Sequence, residues 1–198
     1  MIKDKMYVKI QDGGKIPAVF LGTVPFHEMG DYNFRRLRVM QAVGYGIIKG
    51  YGIYCAVAYE NHRQVGNGIR LSGVDRKDIF LTSKLYNTQQ DNYVKEHYDR
   101  VLEEIGVKYL DLLLLHWPQS GTYVNAWKQM EELYQSKRVK YIGIANVEIR
   151  HLETLTAKGC MLPHVIQVER NPLNTQSELC EYCKEKELLF RHIRLWED

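Results

Sequence analysis

Asp111-Leu112-Leu113-Leu114-Leu115-His116-Trp117-Pro118 contains the longest aliphatic run in the chain, and the run ends on an imidazole. Four leucines are far too few to cross a bilayer, which takes about 20 apolar residues. Bounded by polar groups, they read as a buried strand. Similar runs lie on either side: Ile79 to Lys84 before it, Val139 to Ala145 and Val165 to Val168 after it. Their starts fall about 25–31 residues apart, the length of one βα unit. Between them, Asn92 to Ile105 places Val94, Val101, Leu102 and Ile105 at helical spacing, and Val124, Trp127, Met130 and Leu133 repeat the pattern. Further helices are predicted over Ile149 to Ala157, with Gly159 just past the end, and from near Thr175 or Gln176. Strands alternating with helices in this way predict an α/β fold built on a parallel sheet.

Upstream, Tyr7 to Ile10 and Lys15 to Pro17 flank Asp12-Gly13-Gly14, a hairpin signal, and a strand over Ala18 to Gly22 follows. Helices are predicted over Asn33 to Ala42 and from Tyr59 or Glu60 to Ile69. Between these two, Gly44-Tyr45-Gly46-Ile47-Ile48-Lys49 is followed at once by Gly50-Tyr51-Gly52-Ile53-Tyr54-Cys55, a local six-residue duplication. Gly44, Gly46 and Gly50 suggest a glycine-rich dinucleotide loop, but such a loop needs a strand before it and a helix start after it. A helix-like segment precedes this one and an apolar run follows, so a Rossmann-type dehydrogenase is the weaker reading.

Apolar residues make up 45% of the 198 and charged residues 26%, the balance of a folded single domain. The net charge of +3 is spread along the chain, which argues against a nucleic-acid or membrane surface and leaves a phosphate-bearing small molecule as a fitting partner. Met1 to Lys5 is charged and lacks the apolar stretch of a signal peptide, so a cytoplasmic location is expected. Cys55, Cys160, Cys180 and Cys183 are too few for a disulfide framework. The C-x-x-C of Cys180 and Cys183 has no second pair or histidine at metal spacing and reads as reduced structural thiols.

Polar residues close the apolar runs. Lys84 ends the first, His116 the second, Asn146 follows the third and Gln167 lies in the fourth. In a parallel βα array the strand C-termini share one face, so an amine, an imidazole and two carboxamides converge on one mouth. One such residue alone reads as structural about as often as functional; four on successive strands favour a site.

At these residues the sequence resembles the aldo-keto reductases. Asp12 to Pro17 with Leu21-Gly22-Thr23 is similar to the family's opening hairpin and first strand, and Ile79 to Asn87 to its lysine-bearing strand. Asp111 to Pro118, Ile142 to Asn146 and Gln167 to Leu173 resemble its next signatures in the right order. The resemblance implies an incomplete (β/α)8 TIM-barrel type fold, about six βα units plus the N-terminal β-hairpin, over residues 1–190, with a divergent tail over 191–198. It implies catalysis by Tyr59 as proton donor, Lys84 lowering that tyrosine's pKa and His116 orienting a small-molecule carbonyl substrate. Asn146 and Gln167 would hold the nicotinamide of NADPH, the expected cofactor.

Several positions depart from the family's pattern. Tyr54 stands where the family has the aspartate that pairs with the lysine, Cys55 where a threonine is usual, His62 for a glutamate and Ala145 for a serine. Lys84 would then either lose its proton or turn to water. A complete barrel takes about 250 residues, so the family's seventh and eighth strands, its nicotinamide-stacking tyrosine and its adenosine-phosphate cluster are expected to lack counterparts. An unclosed barrel exposes sheet edges, so the alternative function is a catalytically inactive, truncated family member acting, if at all, through self-association or association with another polypeptide.

Overall fold

The computed structural model describes residues 7–10, 13–24 and 32–193. Asp12 of the expected hairpin turn, the start of the chain and residues 194–198 of the expected tail lie outside them. Strands β1 (Tyr7–Lys9) and β2 (Lys15–Pro17) form the antiparallel hairpin, with Val8 opposite Ile16. There follow β3 (Phe20–Gly22), α1 (Tyr32–Ile48), β4 (Gly52–Tyr54), α2 (His62–Ser72), β5 (Leu81–Leu85), α3 (Val94–Ile105) and β6 (Leu110–Leu115). The chain continues through α4 (Tyr123–Gln135), β7 (Val139–Ala145), α5 (Ile149–Ala157), β8 (Val165–Glu169), α6 (Ser177–Glu185) and β9 (Leu189–Ile193). Strands β3 to β9 pair in chain order in one parallel sheet of seven.

The sheet is curled. Residues of β3 and β9, its two edges, line one cavity, and the Arg191 guanidinium lies 3.7 Å from the centre of the Phe20 ring. This is the expected incomplete barrel of six βα units, closed on itself more nearly than six strands allow because a seventh is present.

Every residue of β6 is buried, as a strand covered on both faces must be. Leu113 and Leu115 join the core between sheet and helices, while Leu112 and Leu114 join a second cluster inside the curl, with Ala145 and Val165. Each fully buried leucine contributes about 1.5–3 kcal/mol. Trp127 and Met130 of α4, Val101 and Ile105 of α3, and Leu152 and Leu155 of α5 supply the helix side of the outer core.

Three expectations need correction. Helix α1 does not stop at Ala42 but runs through Gly44 and Gly46 to Ile48, so the duplicated glycines are no loop. They serve packing: a Cβ at Gly44 would stand 3.3 Å from the Gly68 carbonyl oxygen of α2, and one at Gly68 would stand 2.7 Å from that of Met40. Gly50, at φ +83°, then turns the chain into β4. The second helix begins at His62, after a 3-10 turn over Val57–Tyr59 and a left-handed Glu60, so Tyr59 precedes it. The departure from pattern after Leu189 falls inside β9, whose five residues pair along β8 from Leu189 opposite Val165 to Ile193 opposite Glu169. A seventh parallel strand therefore exists; its charged Arg191 turns inward, which hid the strand in the sequence.

Among the described residues no helix is long and apolar enough to cross a membrane, and no three His, Cys, Asp or Glu side chains cluster as metal ligands. Cys180 and Cys183 lie on α6, where burial, with a contribution from Cys180, pushes the Cys183 thiol up to about 12.

Candidate active site

Residues opposite one another in a parallel pair share a face. Lys84 is opposite Leu114, Leu114 opposite Gly143, and Gly143 opposite Val165, so Lys84 lies on the inner face of the curl. Two residues further along, Ala145 is opposite Gln167 and Gln167 opposite Arg191, which puts that amide and guanidinium inside as well. Tyr54, opposite Thr82, belongs to the same face.

The sequence-predicted residues come together at the C-terminal ends of the strands. Lys84 Nζ donates to Tyr59 Oη at 2.6 Å. The Tyr59 ring meets the His116 ring edge-on, centroids 5.8 Å apart, and Tyr86 flanks His116 at 6.2 Å. His116 extends the ladder beyond β6 through its amide, which donates to the Leu85 carbonyl at 2.9 Å. Asn146 is held in the left-handed region at φ 54° by two bonds: its amide donates to the Gln167 carbonyl at 2.8 Å, and its Nδ2 to the His116 carbonyl at 2.8 Å. Tyr59, Lys84, His116 and Asn146 thus form one contiguous set. Gln167 joins it through the Asn146 backbone. Its side chain, with the amide oxygen turned to the donors as the hydrogen-bond network requires, accepts from Arg191 Nε and Nη2 at 3.2 Å each.

Arg191, which sequence reasoning passed over, and Tyr54, which stands where the family has an aspartate, shape the electrostatics. The Arg191 guanidinium carbon and the Lys84 ammonium nitrogen lie 4.9 and 5.0 Å from the centre of the same Tyr54 ring. None of the ion pairs among the described residues brings a carboxylate to either cation. Burial and the nearby Arg191 charge lower Lys84 from 10.5 to about 7. Of the two outcomes expected for a lysine without an aspartate, Lys84 takes the first: it stays 1% exposed and gives up its proton more readily. Burial, and then the Lys84 charge, hold His116 down at about 4, so its imidazole is neutral at neutral pH. Its Nδ1 is buried and has no hydrogen-bond partner among the described residues. The start of an apolar pair at Leu189, 24 residues after the start of β8 at Val165 and following a helix, was the signal that could have revealed β9 and with it Arg191.

His62 and Cys55 face the helix layer behind the sheet. His62 Nε2 bonds Ser83 Oγ at 3.0 Å and Nδ1 bonds Glu104 Oε2 at 2.8 Å, while Cys55 Sγ donates to the Thr82 carbonyl at 3.3 Å. Burial disfavours the charged imidazole, but Cys55 and the Glu104 carboxylate outweigh it and raise His62 to about 9.

Residues 26–191 match the Aldo/keto reductase family. The chain is 42% identical over 147 residues to the 9,11-endoperoxide prostaglandin H2 reductase of Trypanosoma cruzi, covering 73% of this chain and 52% of that one. It is 35% identical over 179 residues to the glyoxal reductase of Bacillus subtilis, covering 89% and 62%. It therefore spans between half and two thirds of the length of these relatives. Among solved structures, an aldo/keto reductase from Brucella melitensis superposes with a TM-score of 0.88 at 30% identity, covering 97% of this chain and 73% of that one. A Bombyx mori aldo-keto reductase in complex with NADP gives 0.85 at 29%, covering 93% and 64%. By sequence over most of its length and by the order and curl of its strands, the chain belongs to the aldo/keto reductase family.

Proposed function

We propose that this chain reduces an aldehyde or ketone to an alcohol with NADPH, in the cytosol, using Tyr59, Lys84 and His116. The observation that carries the reading is the 2.6 Å hydrogen bond from Lys84 to the Tyr59 hydroxyl, beside a neutral His116. A free tyrosine titrates near ~10 and is a poor acid at neutrality. An ammonium donating to its oxygen favours the tyrosinate and eases proton release. Tyr59 gives its proton to the carbonyl oxygen, and His116, uncharged, offers that oxygen a hydrogen bond without competing for the proton.

The carboxamides suit a nicotinamide. Asn146 Nδ2 is taken by the His116 carbonyl, leaving Oδ1 as acceptor. With its oxygen toward Arg191, Gln167 keeps its NH2 group as donor. One acceptor and one donor match a primary carboxamide. NADPH, when bound, supplies the hydride; the protein supplies position and charge. The reductase names of the relatives and the NADP in the Bombyx mori structure support this reading.

Titration with NADPH, followed by quenching of tryptophan fluorescence, tests it. Saturable binding, with carbonyl turnover lost in Tyr59→Phe, is the expected result. Absence of binding up to millimolar cofactor would sink the enzyme reading for this chain. A second reading, self-association, is favoured by β3 and β9 being sheet edges beside a 47% exposed Val19. Sedimentation velocity showing a concentration-dependent dimer supports it, and a monomer at all concentrations excludes it.

A further inference from the structure

On the outer side of the sheet, α2 and α3 pack backbone to backbone: a Cβ at Gly66 would stand 1.9 Å from the Ile105 carbonyl oxygen. Both helices are flanked by others, α1 on one side and α4 on the other. Their outward faces bound a cavity of about 680 Å³. Arg63, Asn67 and Arg70 of α2, at i, i+4 and i+7, form one wall, and Arg100, Glu103 and Glu104 of α3 line the other. Helix α2 carries no Asp or Glu at all.

The charges on this face do not balance. Glu104 is taken by His62, whose Nδ1 lies 2.8 Å from its Oε2 and which, raised to about 9, carries the compensating charge at neutral pH. Glu103 is then the one free carboxylate of the cavity. Arg63, Arg70 and Arg100 enter no ion pair among the described residues. Arg36 also lines the cavity but is already bonded to the Gln64 amide. Arg70 is held by a neutral group: its Nη2 donates to Asn67 Oδ1 at 2.5 Å, and its Nη1 lies 3.1 Å from where a Cβ on Gly106 would stand. A guanidinium is thereby fixed over the end of α3 with no anion to meet it. Its planar fork is built to donate to carboxylate or phosphate oxygens in pairs.

We propose that the groove between α2 and α3 binds an oligophosphate, a small anion of two or more linked phosphate groups, through Arg63, Arg70 and Arg100. Arg63 and Arg70 are seven residues apart, about 10 Å along a helix that rises 1.5 Å per residue. A single phosphate does not bridge that separation; a linked chain does. The volume falls within the range of small-ligand pockets, about 300–1,000 Å³. Glycine aside, Ile105 is the one apolar residue among the described lining residues, so a peptide side chain or an acyl chain finds no anchor. No aromatic ring lines the cavity on which a base could stack. The site shares no residue with Tyr59, Lys84 and His116, and the inference does not rest on the proposed reduction.

The test is calorimetric titration of the 198-residue chain with sodium tripolyphosphate at constant ionic strength. Orthophosphate and citrate serve as single-phosphate and polycarboxylate controls. Tripolyphosphate should bind saturably and at least about tenfold more tightly than either control, because it alone engages several guanidinium forks at once. Arg63→Gln and Arg100→Gln should each weaken it by about tenfold or more, and Glu103→Gln should strengthen it. Lys158→Gln, at the end of α5, should leave it unchanged; all four positions are exposed, so these variants keep the fold. Amide shifts of Asn67 and Gly106 should follow the isotherm. Tyr59→Phe should bind tripolyphosphate as the unmodified chain does, whatever becomes of carbonyl reduction. ATP tells a free oligophosphate from one carried on a nucleoside: tighter binding than tripolyphosphate assigns the carried form, weaker binding the free chain, and in both cases the arginine variants must weaken it. Equal binding of tripolyphosphate and orthophosphate overturns the proposal, as do arginine variants that lose no more than Lys158→Gln. So does the absence of saturable tripolyphosphate binding.

Discussion

Lys84 and Arg191 share one aromatic ring: both cations lie within 5.0 Å of the centre of Tyr54, and neither meets a carboxylate among the described ion pairs. Burial first, and then the Arg191 charge across the same ring, lower Lys84 to about 7.

This has a measurable consequence for stability. Unfolded lysine binds its proton up to about 10.4, whereas folded Lys84 releases it near 7. Between those values the unfolded chain holds more protons, so the Lys84 contribution to stability rises with pH. His62 has the opposite sign: its folded value, about 9, lies above the ordinary 6.5, so its contribution is full below 6.5 and is lost as pH rises through 9. At about 1.4 kcal/mol per unit, each contribution is on the order of 3 kcal/mol over the shared window, and the two largely cancel. Urea unfolding at pH 6.5, 8 and 9 should therefore be nearly flat for the unmodified chain. Lys84→Met should lose stability as pH rises across that range, and His62→Gln should gain it. Parallel profiles for the two variants would contradict the assignment.

At the opposite end of the sheet a buried charge is paired. Asp111, 3% exposed at its side chain, accepts from Arg76 Nη2 at 2.8 Å and Lys140 Nζ at 2.6 Å, and its Oδ2 also takes the Leu81 amide at 3.0 Å. Asp111→Asn leaves the Arg76 charge, itself only 19% exposed, without its counter-ion. Removing one partner of a buried pair costs about 3–5 kcal/mol. Lys140 is half exposed and returns to water, so the lower end of that range is expected in the urea midpoint. A loss below about 1 kcal/mol would class the pair with surface ion pairs.

The sheet was legible because its strands obey one rule. From Ile79 to Glu169 each strand carries a polar site residue inside it or just past its end: Lys84 within β5, His116 after β6, Asn146 after β7 and Gln167 within β8, and the inner-face positions of Lys84 and Gln167 follow from the parity of the ladder. The duplication was not legible. Gly44 to Lys49 and Gly50 to Cys55 look alike locally, yet the first lies almost wholly in α1 and the second passes from a turn into β4. Tertiary packing of α1 on Gly68 decides between them, and no local pattern carries that contact. Arg191 was hidden for a related reason. Charge in a buried strand argues against the strand until a partner is known, and here the partners are Phe20, far away in sequence, and Gln167.

The Tyr54 position lends itself to a reversal. Tyr54→Asp places a carboxylate between the two cations that now repel one another, restoring the residue type that the family pattern carries there. An opposite charge within about 4–6 Å typically moves a pKa by 1–3 units, so Lys84 should rise from about 7 by at least about one unit. With lysine labelled at 13Cε, the chemical shift against pH reads that midpoint directly. Activity separates two uses of the lysine. If its charge is what activates Tyr59, NADPH-dependent carbonyl reduction in Tyr54→Asp should hold its rate to a higher pH than in the unmodified chain, shifted by the same interval as the lysine midpoint. A raised midpoint with an unmoved rate profile would mean that Lys84 positions the Tyr59 hydroxyl through the 2.6 Å hydrogen bond and that its charge is not rate-determining.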